Sequence, residues 1–193
     1  MLDRRTIEAN WEHHVGDSRP FTPQEMEERV ARFNRLKGSP RTFVDTHIPG
    51  HERTLFSVIG APGGSDVHED PDHKPMIPHA QHFVMDYIEA PPGCGAALHS
   101  HDSEEVFVAI SGQWEVSWGD EGEHKVVLNE HDVISVPPFV MRAFKNLGNR
   151  KNLLMSVLGG ANPSRVKWAR KVATAAKARG VGFDAKGNMV KLA

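Results

Sequence analysis

The stretch GCGAALHSHDSEEVFVAISG, residues 93–112, sets two histidines and a carboxylate immediately ahead of a run rich in Val, Ile and Phe. His99 and His101 are two positions apart, so on a strand both side chains point to the same face. Glu105 opens the next apolar run, and a hairpin between the two strands would bring its carboxylate near both imidazoles. Two imidazoles and one carboxylate on a rigid scaffold form the ligand set of non-heme Fe(II), Mn, Zn or Ni, with coordination positions left open. A His-x-His pair by itself is more often two unrelated polar residues. The chain carries 12 His in 193 residues, most of them before residue 102, so spacing rather than number selects the candidates.

Outward from this stretch the pattern is one of short strands. TLFSVIG (54–60) and HFVMDYIEA (82–90) precede it, separated by a Gly/Pro/Asp-rich loop. EVFVAIS (105–111), QWEVSWG (113–119), HKVVL (124–128), DVISV (132–136), VMRAFKN (140–146) and KNLLMSVLG (151–159) follow. Turn residues stand between them: Ser111-Gly112, Gly119-Asp120-Glu121-Gly122, Asn129-Glu130, Pro137-Pro138 and Gly148-Asn149. Short strands at near-regular spacing predict an all-β antiparallel sandwich or barrel.

Both ends read as helical. Thr22 as N-cap, Pro23 at the first helical position and Glu25 completing a capping box start a helix carrying Met26, Val30, Phe33 and Leu36, ended by Gly38 and Pro40. Near the C-terminus Asn162 caps and Pro163 starts a second helix with Val166, Ala169, Val172, Ala173 and Ala176 on one face and Arg179-Gly180 at its end. The expected organisation is an N-terminal arm and helix over 1–50, a β-barrel over 51–160, and a C-terminal helix and tail over 161–193.

Composition narrows the function classes. With 23 Lys and Arg against 25 Asp and Glu, no basic excess is available to neutralise phosphates, so no nucleic-acid partner is expected. No apolar run approaches the roughly 20 residues that span a bilayer, and no membrane partner is expected. MLDRRTIEANWEHH lacks a hydrophobic signal core, and the single Cys94 suits a reducing compartment, so the expected location is cytoplasmic.

The whole of residues 93–112 resembles the first motif of the cupins: Gly93, five residues, His99-x-His101, three residues, Glu105, six residues, Gly112. A partial second motif follows. His131-Asp132 stands where Gly-Asp is usual, Phe139 where Gly is usual, Arg142 where a fourth ligand His is usual, and Asn146 where Asn is usual. The resemblance covers roughly residues 80–160 and implies a double-stranded β-helix, the jelly-roll barrel of the RmlC-like single-domain cupins, holding one divalent metal ion, with Fe(II) favoured and Mn, Ni or Zn as alternatives. A homodimer is also expected, from the barrel edges, from the Met26/Val30/Phe33/Leu36 stripe and from the resemblance to small cupins.

Arg142 departs from that pattern with chemical consequences. A permanently charged guanidinium has no lone pair to give and cannot replace a ligand His. Either the site has three ligands, with Arg142 aimed at a substrate carboxylate, enolate or phenolate, or Arg142 pairs with Glu105 and displaces the metal. The resemblance implies a metal-dependent enzyme acting on a small anionic aromatic or keto compound, first as a dioxygenase-type oxidoreductase. Its rivals are a non-redox isomerase, lyase or decarboxylase, and a metal-free binding barrel. Gln113, Trp114, Trp118 and Phe144 should line or cover the barrel, His79 and His82 precede a strand near its mouth, and nothing marks Cys94 as a nucleophile.

Overall fold

The computed structural model describes residues 16–61, 74–79, 81–160, 166–185 and 189–192. The chain divides into two units, Met1–Val30 and Ala31–Ala193. In the first, α1 (Pro23–Glu27) begins as its sequence dictates. Glu25 N–H donates to Thr22 Oγ1, and Thr22 N–H donates 2.7 Å to Glu25 Oε2. The bonds that Thr22 donates to the Glu25 carboxylate from its N–H and its hydroxyl lower that carboxyl below its usual value.

The helix stops at Glu27 instead of running to Leu36, and Phe33–Arg35 forms a separate 3-10 turn. A short helix scarcely offsets the cost of its own nucleation, and Met26 and Val30 are exposed, so no buried face extends it. Phe33 packs its ring instead against Phe56 and Tyr87, at centroid distances of 5.6 and 5.4 Å.

The second unit is built from antiparallel strand pairs. One sheet contains β1 (Gly38–Ser39), β2 (Thr54–Ile59), β3 (Phe83–Ala90), β5 (Glu105–Ala109), β8 (Val133–Val136) and β10 (Asn152–Gly159), in the order β1-β2-β3-β10-β5-β8. The other contains β4 (His99–Ser100), β6 (Trp114–Trp118), β7 (His124–Leu128), β9 (Arg142–Asn146) and β11 (Lys167–Trp168), in the order β11-β4-β9-β6-β7. A small pair, β12 (Val181–Phe183) with β13 (Met189–Lys191), lies near the C-terminus.

Alternation along these strands builds the interior. On β10, Asn152, Leu154, Ser156 and Leu158 are buried while the residues between them are less so. Glu105, Phe107 and Ala109 do the same on β5. Phe107, Trp114, Val116 and Phe144 form a common core with Leu55, Ile88 and Leu154, the Phe144 ring lying 5.2 Å from Phe107 and 6.0 Å from Trp114. Buried polar residues flank this core: on β9 Phe144 stands between Arg142 and Asn146, and on β10 Leu154 stands between Asn152 and Ser156.

The C-terminal helix, α2, runs from Arg170 to Lys177. It starts later than the pattern predicts because Lys167 and Trp168 are taken up as β11, paired with Ser100 and His99. Ala169, Val172 and Ala176 keep the buried face, whereas Asn162 and Pro163 lie outside the described residues. Among the described residues no helix is long and apolar enough to cross a membrane.

Candidate metal centre

The structure brings His99, His101 and Glu105 together. One ligand atom from each lies within 4.8 Å of the others, and all three residues are buried. Glu105 Oε2 is 4.0 Å from His99 Nε2 and 3.8 Å from His101 Nε2. Local spacing accounts for this: His99 opens β4, His101 follows directly after its end, and Glu105 is the first inward residue of β5.

The donor set suits a divalent ion. Because a carbonyl only accepts, the 2.7 Å contact between His99 Nδ1 and Ala97 O places the proton on Nδ1 and leaves the Nε2 lone pair for a metal. Burial, and next the neighbouring His101, hold His99 well below the usual imidazole range, so it stays neutral as a ligand must. The Glu105 carboxylate is steadied by Ser156, whose hydroxyl donates 2.9 Å to Oε1. Burial raises the Glu105 carboxyl, with Arg142 and Ser156 pulling against it.

Arg142 lies on β9 directly opposite His99 and is fully buried. Its Nε is 3.1 Å from Glu105 Oε2, although the N–H is not aligned for a hydrogen bond. Nη1 donates 3.0 Å to the Val140 carbonyl, while Nη2 has no acceptor among the described residues. The guanidinium therefore touches Glu105 without separating it from the two imidazoles. Features of both readings of Arg142 coexist.

The sequence pattern leaves four residues around this centre unmarked. Asp86 is inward on β3, opposite Ser57 on β2 and Ser156 on β10. Burial raises its carboxyl to about 7, against hydrogen bonds from Ser57 and from the Val58 N–H, with Glu105 adding repulsion. A charged residue inside HFVMDYIEA, at the parity of Ile88 and Ala90, is the signal that could have found it. Asp45 and Arg53 form a buried pair, 2.9 Å at each arm of the fork, and Asp45 Oδ2 accepts the Ala97 N–H at 2.8 Å. Trp168 sets its ring 5.4 Å from His99. No spacing in the sequence links residues 45, 53 and 168 to the motif.

Other candidates fall elsewhere. Trp114 and Phe144 are core, Trp118 is half-buried against His124, and Gln113 is exposed and bonded to Asn129. His79 and His82 are exposed. Cys94 Sγ contacts Glu52 Oε2 at 3.2 Å, and burial followed by that carboxylate pushes the thiol up, away from nucleophile character. Asn146 bonds the Ala90 and Arg150 carbonyls, the Gly148 N–H and Asn152. His131 and Phe139 adopt φ of 73° and 65°.

The family model described as "Cupin domain" matches residues 86–158. No curated protein matches the sequence. The polyketide cyclase RemF from Streptomyces resistomycificus superposes with a TM-score of 0.53 at 14% identity, over 72% of this chain and 82% of that one. Oxalate decarboxylase from Lactobacillus farciminis, solved with formate, gives 0.50 at 18% identity over 68% of this chain. This chain spans 33% of that decarboxylase. At such identities the likeness shows a shared fold.

Proposed function

The chain is a member of the cupin superfamily, and on that premise we propose that it is a metal-dependent enzyme acting on a small anionic organic molecule. The observation that carries this reading is the convergence of three ligand atoms within 4.8 Å beside a buried guanidinium whose Nη2 lacks an acceptor among the described residues. His99 Nε2, His101 and Glu105 Oε2 hold the ion. A divalent ion there supplies Lewis acidity, and Fe(II), the metal this ligand set favours, adds chemistry with dioxygen.

The chain's own residues select the substrate by charge. Glu105 is the one anionic member of the ligand set, and Arg142 adds a cation beside it, so a loaded centre carries excess positive charge. A carboxylate, enolate or phenolate offsets that excess, and Arg142 Nη2–H is the donor free to meet it. Burial strengthens the interaction by excluding water. The first reading of the reaction is a dioxygenase acting on an aromatic or keto compound.

A second reading has its own observation. Asp86 lies opposite Ser156, whose hydroxyl donates to the ligand Glu105, and in the metal-free fold its carboxyl is raised to about 7, so it can hold or release a proton there at neutral pH. That property suits a non-redox proton transfer, as in an isomerase, lyase or decarboxylase.

Elemental analysis of protein purified without oxygen, alongside His99→Ala and Glu105→Ala, tests the proposal. Near-stoichiometric metal lost in both variants is expected, and iron with substrate-dependent oxygen uptake supports the dioxygenase. Turnover that proceeds without oxygen moves the assignment to the non-redox class. Wild-type protein that cannot be loaded with metal overturns the enzyme reading.

A further inference from the structure

His99 is held through the chain that leads into it. The chain from Gly93 to Leu98 that leads into it belongs to no strand and is fastened residue by residue. Asn146 N–H donates to Cys94 O at 2.9 Å, Phe144 N–H to Ala96 O at 3.3 Å, and Ala169 N–H to Leu98 O at 3.0 Å. The Ala97 N–H is held by a side chain instead, Asp45 Oδ2, at 2.8 Å. Two residues before His99, Ala97 also supplies the carbonyl that takes the His99 Nδ1 proton at 2.7 Å. One residue thus receives support from Asp45 and gives orientation to His99.

Asp45 is itself fixed. It is fully buried, and both of its oxygens accept from Arg53 at 2.9 Å. Arg53 also donates 3.0 Å to His51 O and lies 5.2 Å over the Phe43 ring. Phe43 packs on Trp168, whose own ring lies against His99. Asp45, Arg53, His51, Phe43 and Trp168 fall outside residues 86–158, the span matched by the family model.

We propose that Asp45 is a positioning residue of the metal centre: held by Arg53, it fixes Ala97 so that the Ala97 carbonyl keeps His99 in the tautomer and ring orientation a metal requires. This inference rests on the metal-centre reading. A buried Asp–Arg pair that served packing alone would have no reason to commit one carboxylate oxygen to the backbone N–H of the residue orienting a ligand. Partners that orient ligating histidines typically change metal affinity about 10- to 100-fold when removed.

The test compares full-length wild type, Asp45→Asn, Arg53→Lys and Asn152→Ala. Asn152 belongs to a buried amide network with Asn146, so its removal destabilises the fold without removing a hydrogen bond to Asp45, Ala97 or His99. Co(II) is titrated as probe, with affinity and the visible ligand-field spectrum recorded under conditions where circular dichroism shows each variant folded. Asp45→Asn is expected to lose Co(II) affinity by about 10- to 100-fold with an altered spectrum. Arg53→Lys should lose less, and Asn152→Ala should match wild type. Equal affinity and spectrum in Asp45→Asn and wild type, or an equal loss in Asn152→Ala, overturns the inference. A second readout needs no metal. In nitrogen-15 spectra of metal-free protein, His99 of wild type should show a single Nδ1–H tautomer, and Asp45→Asn should shift or mix it. If wild type binds no Co(II), the metal-centre reading fails, and an unchanged His99 signal in Asp45→Asn overturns the positioning role separately.

Discussion

Arg142 Nε stands 3.1 Å from Glu105 Oε2, the same carboxylate oxygen that lies 4.0 Å from His99 Nε2 and 3.8 Å from His101 Nε2. A cation and a metal site therefore share one oxygen. In metal-free protein the guanidinium offsets the buried carboxylate; in loaded protein it repels the ion and attracts an anion.

Arg142→Gln separates these effects. Removing one partner of a buried pair leaves an uncompensated charge, which costs about 3 kcal/mol in the metal-free state. Metal restores most of that loss by taking over Glu105. Divalent metal affinity should rise several-fold, while affinity for a small carboxylate should fall by roughly 10- to 100-fold. Thermal unfolding with and without metal, and calorimetric titration of the anion, read both directions.

Much of this arrangement is legible in the residue pattern alone. Short runs rich in Val, Ile, Phe and Trp between turn residues locate eight of the strands, and His99-x-His101 with Glu105 marks the centre because two imidazoles two positions apart meet the first inward position of β5. Local capping also reads correctly at Thr22. The failures share a cause. The helical spacing of α1 continues to Leu36, but Phe33 finds aromatic partners in Phe56 and Tyr87, far along the chain and at no fixed spacing. Trp168 falls within a helical pattern and becomes strand because His99 offers it a partner. Asp45 and Arg53 act through tertiary contacts that leave no periodic trace.

Two positions of the second motif adopt a backbone that suits glycine while carrying other residues. His131 has φ of 73° and Phe139 of 65°, the left-handed region that a side chain makes costly. Phe139 is also 75% exposed, so little packing is lost on its removal. His131→Gly and Phe139→Gly should each stabilise the fold by about 1 kcal/mol. Urea midpoints measure this, and the Phe139 N–H bond to His101 O at 2.7 Å should survive, leaving metal affinity unchanged.

Metal uptake should depend on pH through Glu105. Its carboxyl is raised by burial, so protons compete with metal as the solution is acidified through that raised range, above where an ordinary glutamate would titrate. His99, lowered well below the imidazole range, adds no competition near neutrality. Co(II) affinity should fall on acidification, and the steepness should report about one proton in that range. A loss centred near the ordinary histidine value would assign the proton to an imidazole instead.

Asp86 makes the sharpest claim about stability. Its carboxyl rises from 3.8 in the unfolded chain to about 7 in the fold. Between those values the folded state binds the proton that the unfolded state has released. Stability from this group is therefore complete below the unfolded value and is lost as pH rises toward the folded one. Around it stand Ser57 and the Val58 N–H from β2, Ser156 from β10 and Glu105 beyond it, with His99, His101 and Arg142 surrounding Glu105. Asp86→Asn keeps the shape and an acceptor for Val58 but cannot ionise. Relative to wild type, the variant should gain about 2 kcal/mol on going from about pH 4 to about pH 8, the full shift being discounted for the partial exposure of the residue. Urea unfolding of metal-free protein across that range checks it, and a difference independent of pH would place the Asp86 titration elsewhere. In the loaded enzyme the same substitution separates the two readings of the reaction. A dioxygenase should keep its kcat, whereas a proton-transferring enzyme should lose most of it.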